Sequence, residues 1–148
     1  MKYTLELVNE KPELWKHSDP VRPELGISYK TYPGRYVFAL RDENGVYVSF
    51  CCVARCTGVP HDVMSLSNMT LSDGRVYVPY TVWSLKRGSG KKIINQLLEF
   101  VKDNELAAGV SRVVTLSPNT GMARDFHLRN GAKEIATSVV TANFEYKI

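Results

Sequence analysis

The chain has 148 residues, 44% of them hydrophobic and 23% charged, which excludes a disordered tail and leaves enough apolar material for one domain over residues 1–148 with a sizeable core. Its net charge of +4 suits an anionic cofactor, nucleic acid or a membrane surface, but the positive charge is scattered except around Lys86 to Lys92. No apolar run approaches the roughly 18 residues of a membrane span, and the N-terminus lacks the apolar core of a signal peptide, so the expected setting is the cytoplasm with no membrane partner.

In chain order, Tyr3 to Val8 predicts a first strand with Tyr3, Leu5 and Leu7 on one face. Residues 9–35 carry prolines at 12, 20, 23 and 33, so only short helices fit, one of them at Pro12 to Lys16. Such a segment either covers a site or simply connects elements, and both readings stay open. A hairpin follows, from Tyr36–Arg41 through Asp42-Glu43-Asn44-Gly45 to Val46–Arg55, because Asn-Gly accepts positive backbone torsions between runs rich in Val, Phe, Tyr and Cys. Cys51 and Cys52 are strand neighbours pointing to opposite faces, which argues against a disulfide scaffold. A zinc site from Cys51, Cys52, Cys56 and His61 lacks paired CxxC spacing, and no metal is expected. Thr57 to Asp73 reads mostly as loop with an apolar patch at Val63, Met64, Leu66 and Met69. The next strand, Val76 to Ser84, contains Pro79, which cannot donate to a ladder and marks an edge or a bulge.

That strand turns through Gly88-Ser89-Gly90 into a helix whose apolar residues Ile94, Leu97, Leu98 and Val101 return at helical spacing. A glycine loop at a helix start leaves first-turn amides unpaired at the positive end of the helix dipole, where an anion belongs. Lys86, Arg87, Lys91 and Lys92 crowd the same loop, so a pyrophosphate fits better than a carboxylate. Turn punctuation and a solvated basic surface are the competing readings. The GxxxxGK[ST] loop is absent, and GxGxxG fails at Ile93. Arg112 to Leu116 then supplies a strand that a parallel crossover can reach. Ser117-Pro118-Asn119 stops it, Asn119 is the expected N-cap of a helix carrying Met122, Ala123 and Phe126, and Asn130-Gly131 closes that helix. Val139 to Tyr146 supplies closing strands.

The stretch Leu85-Lys86-Arg87-Gly88-Ser89-Gly90 resembles the Gln/Arg-x-x-Gly-x-Gly/Ala acyl-CoA motif of the GNAT N-acetyltransferase superfamily, with Leu85 replacing the first Gln or Arg. Within NTGMARDFHLRNGA, Asn119, Ala123, Phe126, His127 and Gly131 resemble a second GNAT segment, with His127 where that family often has its catalytic tyrosine and Ala132 in place of Phe. The resemblance covers roughly residues 36 to 148, and the NGA and NFEY variants look like small bacteriophage-encoded members, which would place the protein in the host cytoplasm. It implies an α/β (α+β) fold: a mixed sheet whose central parallel pair splays at a bulge, flanked by helices. It also implies an acetyl-CoA-dependent N-acetyltransferase acting on an amine acceptor. The backbone of Val82, Trp83 and Ser84 would hold the pantetheine arm. Lys86, Arg87, Gly88, Ser89, Gly90, Lys91 and Asn119 would join in cofactor binding.

His127 would donate to the departing sulfur, either as imidazolium, about a quarter populated at pH 7 for an ordinary pKa, or as the neutral N–H tautomer; a helix histidine packed or capped structurally is the competing reading. No carboxylate lies in Val76 to Leu85. The general base therefore stays open among water held by Tyr80, Thr81 or Ser84, and His61 or Asp62 from the preceding loop. Two alternatives remain: a GNAT-shaped acyl-CoA-binding protein without catalysis, and a small nucleic-acid-binding module using KRGSGKK, disfavoured because clustered exposed aromatics are absent. A homodimer stays open.

Overall fold

The computed structural model describes residues 2–148. The strands are β1 (Tyr3–Leu7), β2 (Arg35–Asp42), β3 (Tyr47–Cys56), β4 (Val76–Ser84), β5 (Arg112–Val114), β6 (Ser117–Pro118), β7 (Lys133–Thr137) and β8 (Thr141–Tyr146). The helices are α1 (Ile27–Lys30), α2 (Val63–Met69), α3 (Ser89–Asp103) and α4 (Gly121–Arg129). One sheet runs β1-β2-β3-β4-β5-β8-β6, with β7 also paired to β8. Among the described residues only β4 and β5 are parallel, as expected for strands joined by a helical crossover.

The β2–β3 hairpin lies where its Asn-Gly turn predicts, with Gly45 at φ 82°. β3 is buried on both faces, so its alternate residues feed two cores. Cys51 and Val53 join Phe38, Leu40 and Tyr77 beneath Ile93, Ile94 and Leu97 of α3. Phe50, Cys52 and Ala54 join Val37, Val78 and Tyr80 on the other face, covered by Trp15 and by Leu66 of α2. Gly90 in the first turn of α3 costs the helix about 1 kcal/mol relative to alanine. Burial of Ile93, Ile94 and Leu97, each about 1.5–3 kcal/mol, outweighs that cost several times over.

β1 forms where expected at the sheet edge; Leu7 at its end is 39% exposed, and the next residue, Val8, is buried, with the Trp15 indole donating to its carbonyl at 2.9 Å. Two expectations are corrected. Residues 63–69 form α2 and not loop, started by a capping box in which Asp62 accepts from the Ser65 amide and Ser65 Oγ accepts from the Asp62 amide. The N-cap of α4 is Thr120 and not Asn119, its hydroxyl accepting from the Ala123 amide at 3.2 Å.

The Pro79 irregularity is a bulge. Cys52 pairs with Thr81 and Val53 with Pro79, so Tyr80 is the extra residue of β4. Parallel pairing with β5 covers only Val76 opposite Arg112 and Tyr77 opposite Val113, followed by a last bond from the Leu116 amide to the Pro79 carbonyl at 2.9 Å. Past the bulge β4 stays with β3, while the other chain turns to β8 through Thr115 and Ser117. The sheet therefore splits there, and α4 lies beside the split.

Candidate active site

The split forms a cleft of about 340 Å³. Pro79 to Ser84 make one wall, Ser117 and Pro118 the other, and Thr120, Ala123, Phe126 and His127 of the α4 region lie alongside. Pro20 and Val21 from the proline-rich N-terminal segment also line it, so that segment covers the cleft and is more than a connection. Beyond Tyr80 the far edge of β4 has no neighbouring strand, and alternate backbone groups of Val82, Trp83 and Ser84 are left to the cleft. The Trp83 side chain is core, stacked on Phe50 at 5.1 Å, so only its backbone is available there.

At one end the cleft reaches the start of α3. Gly88 is the N-cap at φ 85°, a left-handed conformation that favours glycine, and no side chain caps the helix. The Ser89 amide bonds the Lys86 carbonyl, while the Gly90 and Lys91 amides have no acceptor in the preceding loop. The Ser89 hydroxyl points inward, donating toward the Val48 and Lys86 carbonyls, and the Ser49 hydroxyl donates to the Ser89 carbonyl at 3.0 Å. Ser89 thus locks the loop onto β3 with its side chain. Gly90 packs tightly on α4: a Cβ there would lie 3.0 Å from the Phe126 ring, which would have to shift by a few tenths of an ångström to admit it. Lys86, Arg87 and Lys91 are exposed and form no ion pair among the described residues. Lys92 turns away, its ammonium 5.1 Å over the Tyr3 ring.

His127, on the inner face of α4, is 5% exposed. Its ring stacks on Phe144 at 5.2 Å and meets Phe126 edge-on at 5.1 Å. Nδ1 is 2.6 Å from the Tyr146 hydroxyl. Burial lowers its pKa to about 4, so the imidazolium form expected from an ordinary histidine is corrected to a neutral ring at pH 7. Asn119 is committed as a clamp: its amide nitrogen donates to the Ser138 carbonyl at 2.8 Å, and its oxygen accepts from Arg124 at 2.8 Å. These bonds hold the 138–140 turn against the cleft wall. His61 and Asp62 are exposed at the α2 N-terminus and do not line the cleft.

The residues that sequence reasoning missed lie behind the split. The Asp19 carboxylate, 6% exposed, accepts from Lys30 at 2.6 Å, from Thr81 of β4 at 2.8 Å, and from the amides of Val21 and Arg22. Burial works to raise its pKa, but the bond from Lys30 and those from the Arg22 amide and Thr81 outweigh it and hold the carboxyl below its ordinary value. Arg22 spans the split, donating to the Tyr80 carbonyl on one side at 2.8 Å and the Leu116 carbonyl on the other at 3.1 Å. Asp19-Pro20 is a recognisable turn signal. Nothing local shows that it turns three charges inward.

No family model matches the sequence, and no curated protein matches it. Solved structures do. The loading GNATL domain of CurA from Lyngbya majuscula is similar with a TM-score of 0.70 at 14% identity, covering 99% of this chain and 98% of that one. The Bacillus subtilis acetyltransferase in complex with CoA gives 0.65 at 10% identity, with 99% of each chain covered. The malonyl-CoA decarboxylase from Agrobacterium vitis gives 0.60 at 21% identity, and there 93% of this chain spans only 39% of that protein. At these identities the likeness is one of fold: the chain has the fold of the GNAT acetyltransferases.

Proposed function

We propose that the protein is an acyl-CoA-dependent N-acyltransferase that moves an acetyl group directly from CoA to an amine. One observation carries the reading: the cleft joins unpaired first-turn amides of α3, beside three unpaired cations, to a buried histidine edge. The Gly90 and Lys91 amides would bind the diphosphate, with Lys86, Arg87 and Lys91 supplying charge. The free edge of Val82 to Ser84 would hold the pantetheine amides as an added strand. The amine nitrogen would attack the thioester carbonyl, the C–S bond would break with its electron pair on sulfur, and His127 Nε2–H would donate to that sulfur as charge develops. The proton lost by the amine balances the one taken up by the CoA thiol.

The lining favours an uncharged acyl group. Among the described residues no Lys, Arg, Asp or Glu lines the cleft wall, and His127 is neutral, so a second carboxylate on the acyl chain would be desolvated without a partner. The missing carboxylate also means that the amine must arrive neutral or lose its proton to water. A second reading, an acyl-CoA-binding protein without catalysis, is supported by Leu85, 64% exposed in place of the motif's polar first residue. Single-turnover acyl transfer tests the two, with acetyl-CoA and a panel of polyamines, aminoglycosides, free amino acids and protein lysines. Turnover of any amine supports the enzyme; tight acetyl-CoA binding with no turnover supports the binder.

A further inference from the structure

Two arrangements of the His127–Tyr146 hydrogen bond are available, and they give opposite chemistry. If Tyr146 donates to Nδ1, the ring is the Nε2–H tautomer and its other edge is a donor. If Nδ1–H donates to the phenol oxygen, Nε2 carries a lone pair and the same edge is a base. The surroundings decide between them. Tyr146 is 3% exposed, and its hydroxyl has no hydrogen-bond partner among the described residues except Nδ1, 2.6 Å away. In the second arrangement the phenol hydrogen would be buried without an acceptor, a costly state that the first avoids.

The ring cannot escape by rotation. Phe144 stacks on one face, and Phe126 and Tyr146 meet it at steep angles of 78° and 75°. Nε2, across the ring from the bonded Nδ1, makes no hydrogen bond among the described residues, and the fully sealed, unpartnered side-chain atoms among them are Tyr80 Oη and Trp83 Nε1. His127 lines the cleft, so Nε2 is the ring atom offered to it.

We infer that Tyr146 is a positioning residue that fixes His127 as the Nε2–H tautomer, so that the cleft presents a hydrogen-bond donor and the histidine does not act as a general base. The step needs no proton from Tyr146, which donates to Nδ1 before and after transfer. Burial also pushes its ionisation well above the ordinary phenol value, and a relay ending in tyrosinate is disfavoured. The kinetic part of this inference rests on the acyltransferase reading; the tautomer itself does not.

The test is the ¹⁵N chemical shifts of the imidazoles in the full chain without ligand, at pH 7. His17 and His61 are exposed, and the His127 signals are assigned by their loss in His127→Phe. The expected spectrum has His127 Nε2 in the protonated range and Nδ1 in the unprotonated range. In Tyr146→Phe that bias should relax toward mixed or Nδ1–H populations. The single-turnover rate should fall about tenfold or more while acetyl-CoA affinity stays within about twofold. A wild-type spectrum with Nδ1 protonated overturns the inference, even if Tyr146→Phe fails to fold. An unchanged tautomer and rate in Tyr146→Phe overturn it as well. Absence of acyl transfer in wild type with the expected spectrum would instead strike the enzymatic reading and leave the tautomer assignment standing.

Discussion

His127 is the residue on which rate and pH behaviour turn. His127→Phe keeps a ring between Phe126 and Phe144 but deletes both nitrogens, so the single-turnover rate should drop on the order of a hundredfold with acyl-CoA affinity little changed. Full activity in that variant would leave His127 a structural residue. Because burial lowers its pKa to about 4, the rate should show no inflection from this ring between pH 6 and 8. The same shift links to stability. Between pH 6.5 and 4 the unfolded chain binds a proton that the folded chain does not, so stability rises with pH across that window and is lost as pH falls through it, by about 3 kcal/mol in all. Urea midpoints of wild type and His127→Phe at pH 4 to 7 check this; the variant should lose the part of the slope that His127 supplies.

Gly90 is a second residue-scale test, changed by what the structure adds. A valine there meets the Phe126 ring, so Gly90→Val should weaken CoA binding and also lower stability without ligand, by about 1–3 kcal/mol. Gly88 has open space around it but φ of 85°, so Gly88→Ala should cost about 1 kcal/mol through backbone strain alone. Calorimetric CoA titrations and thermal melts of both variants separate packing from phosphate approach. At Arg87, neutralisation that weakens CoA and dephospho-CoA equally would place the side chain at the diphosphate. A larger loss with CoA would place it at the ribose phosphate.

At the scale of elements, the strap of residues 19–30 holds the split sheet in shape. Thr81 and Tyr80 of β4, and Leu116 beyond β5, are all tied to it through Asp19 and Arg22. Asp19→Asn would leave Lys30, 2% exposed, without its carboxylate partner, and breaking such a buried pair costs about 3–5 kcal/mol. Urea unfolding should register that loss. Acetyl-CoA affinity should fall too, because the wall of the cleft loses its anchor. A variant as stable as wild type would show that the strap is incidental.

The elements legible in the sequence were those whose patterns are local. The Asn-Gly hairpin, the α3 stripe and the Pro79 bulge follow from residues a few positions apart. α2 was missed in spite of the Asp62–Ser65 capping box, because its mixed Ser and Met face obscured the helical period. Asn119 was misplaced as a cap because Thr120 beside it is an equally good one, and only the 138–140 turn decides which side chain is free.

For the molecule as a whole, what the sequence concealed is what comes from distance along the chain. Tyr146 lies 19 residues beyond His127, and Arg22 lies 94 residues before Leu116, and neither contact has a periodic or motif signature. The loop motif around Gly88 and Gly90 stood out because phosphate recognition by a helix start needs only contiguous residues. The cleft that makes it useful is a property of the assembled sheet. We propose that this cleft is an acyl-CoA site, a claim open to isothermal titration calorimetry of the wild-type protein with acetyl-CoA, CoA and a short oligonucleotide titrated in parallel. Saturable acetyl-CoA and CoA heats, with no oligonucleotide heat, are the predicted result. Micromolar oligonucleotide binding with no heat from either CoA species would contradict the claim.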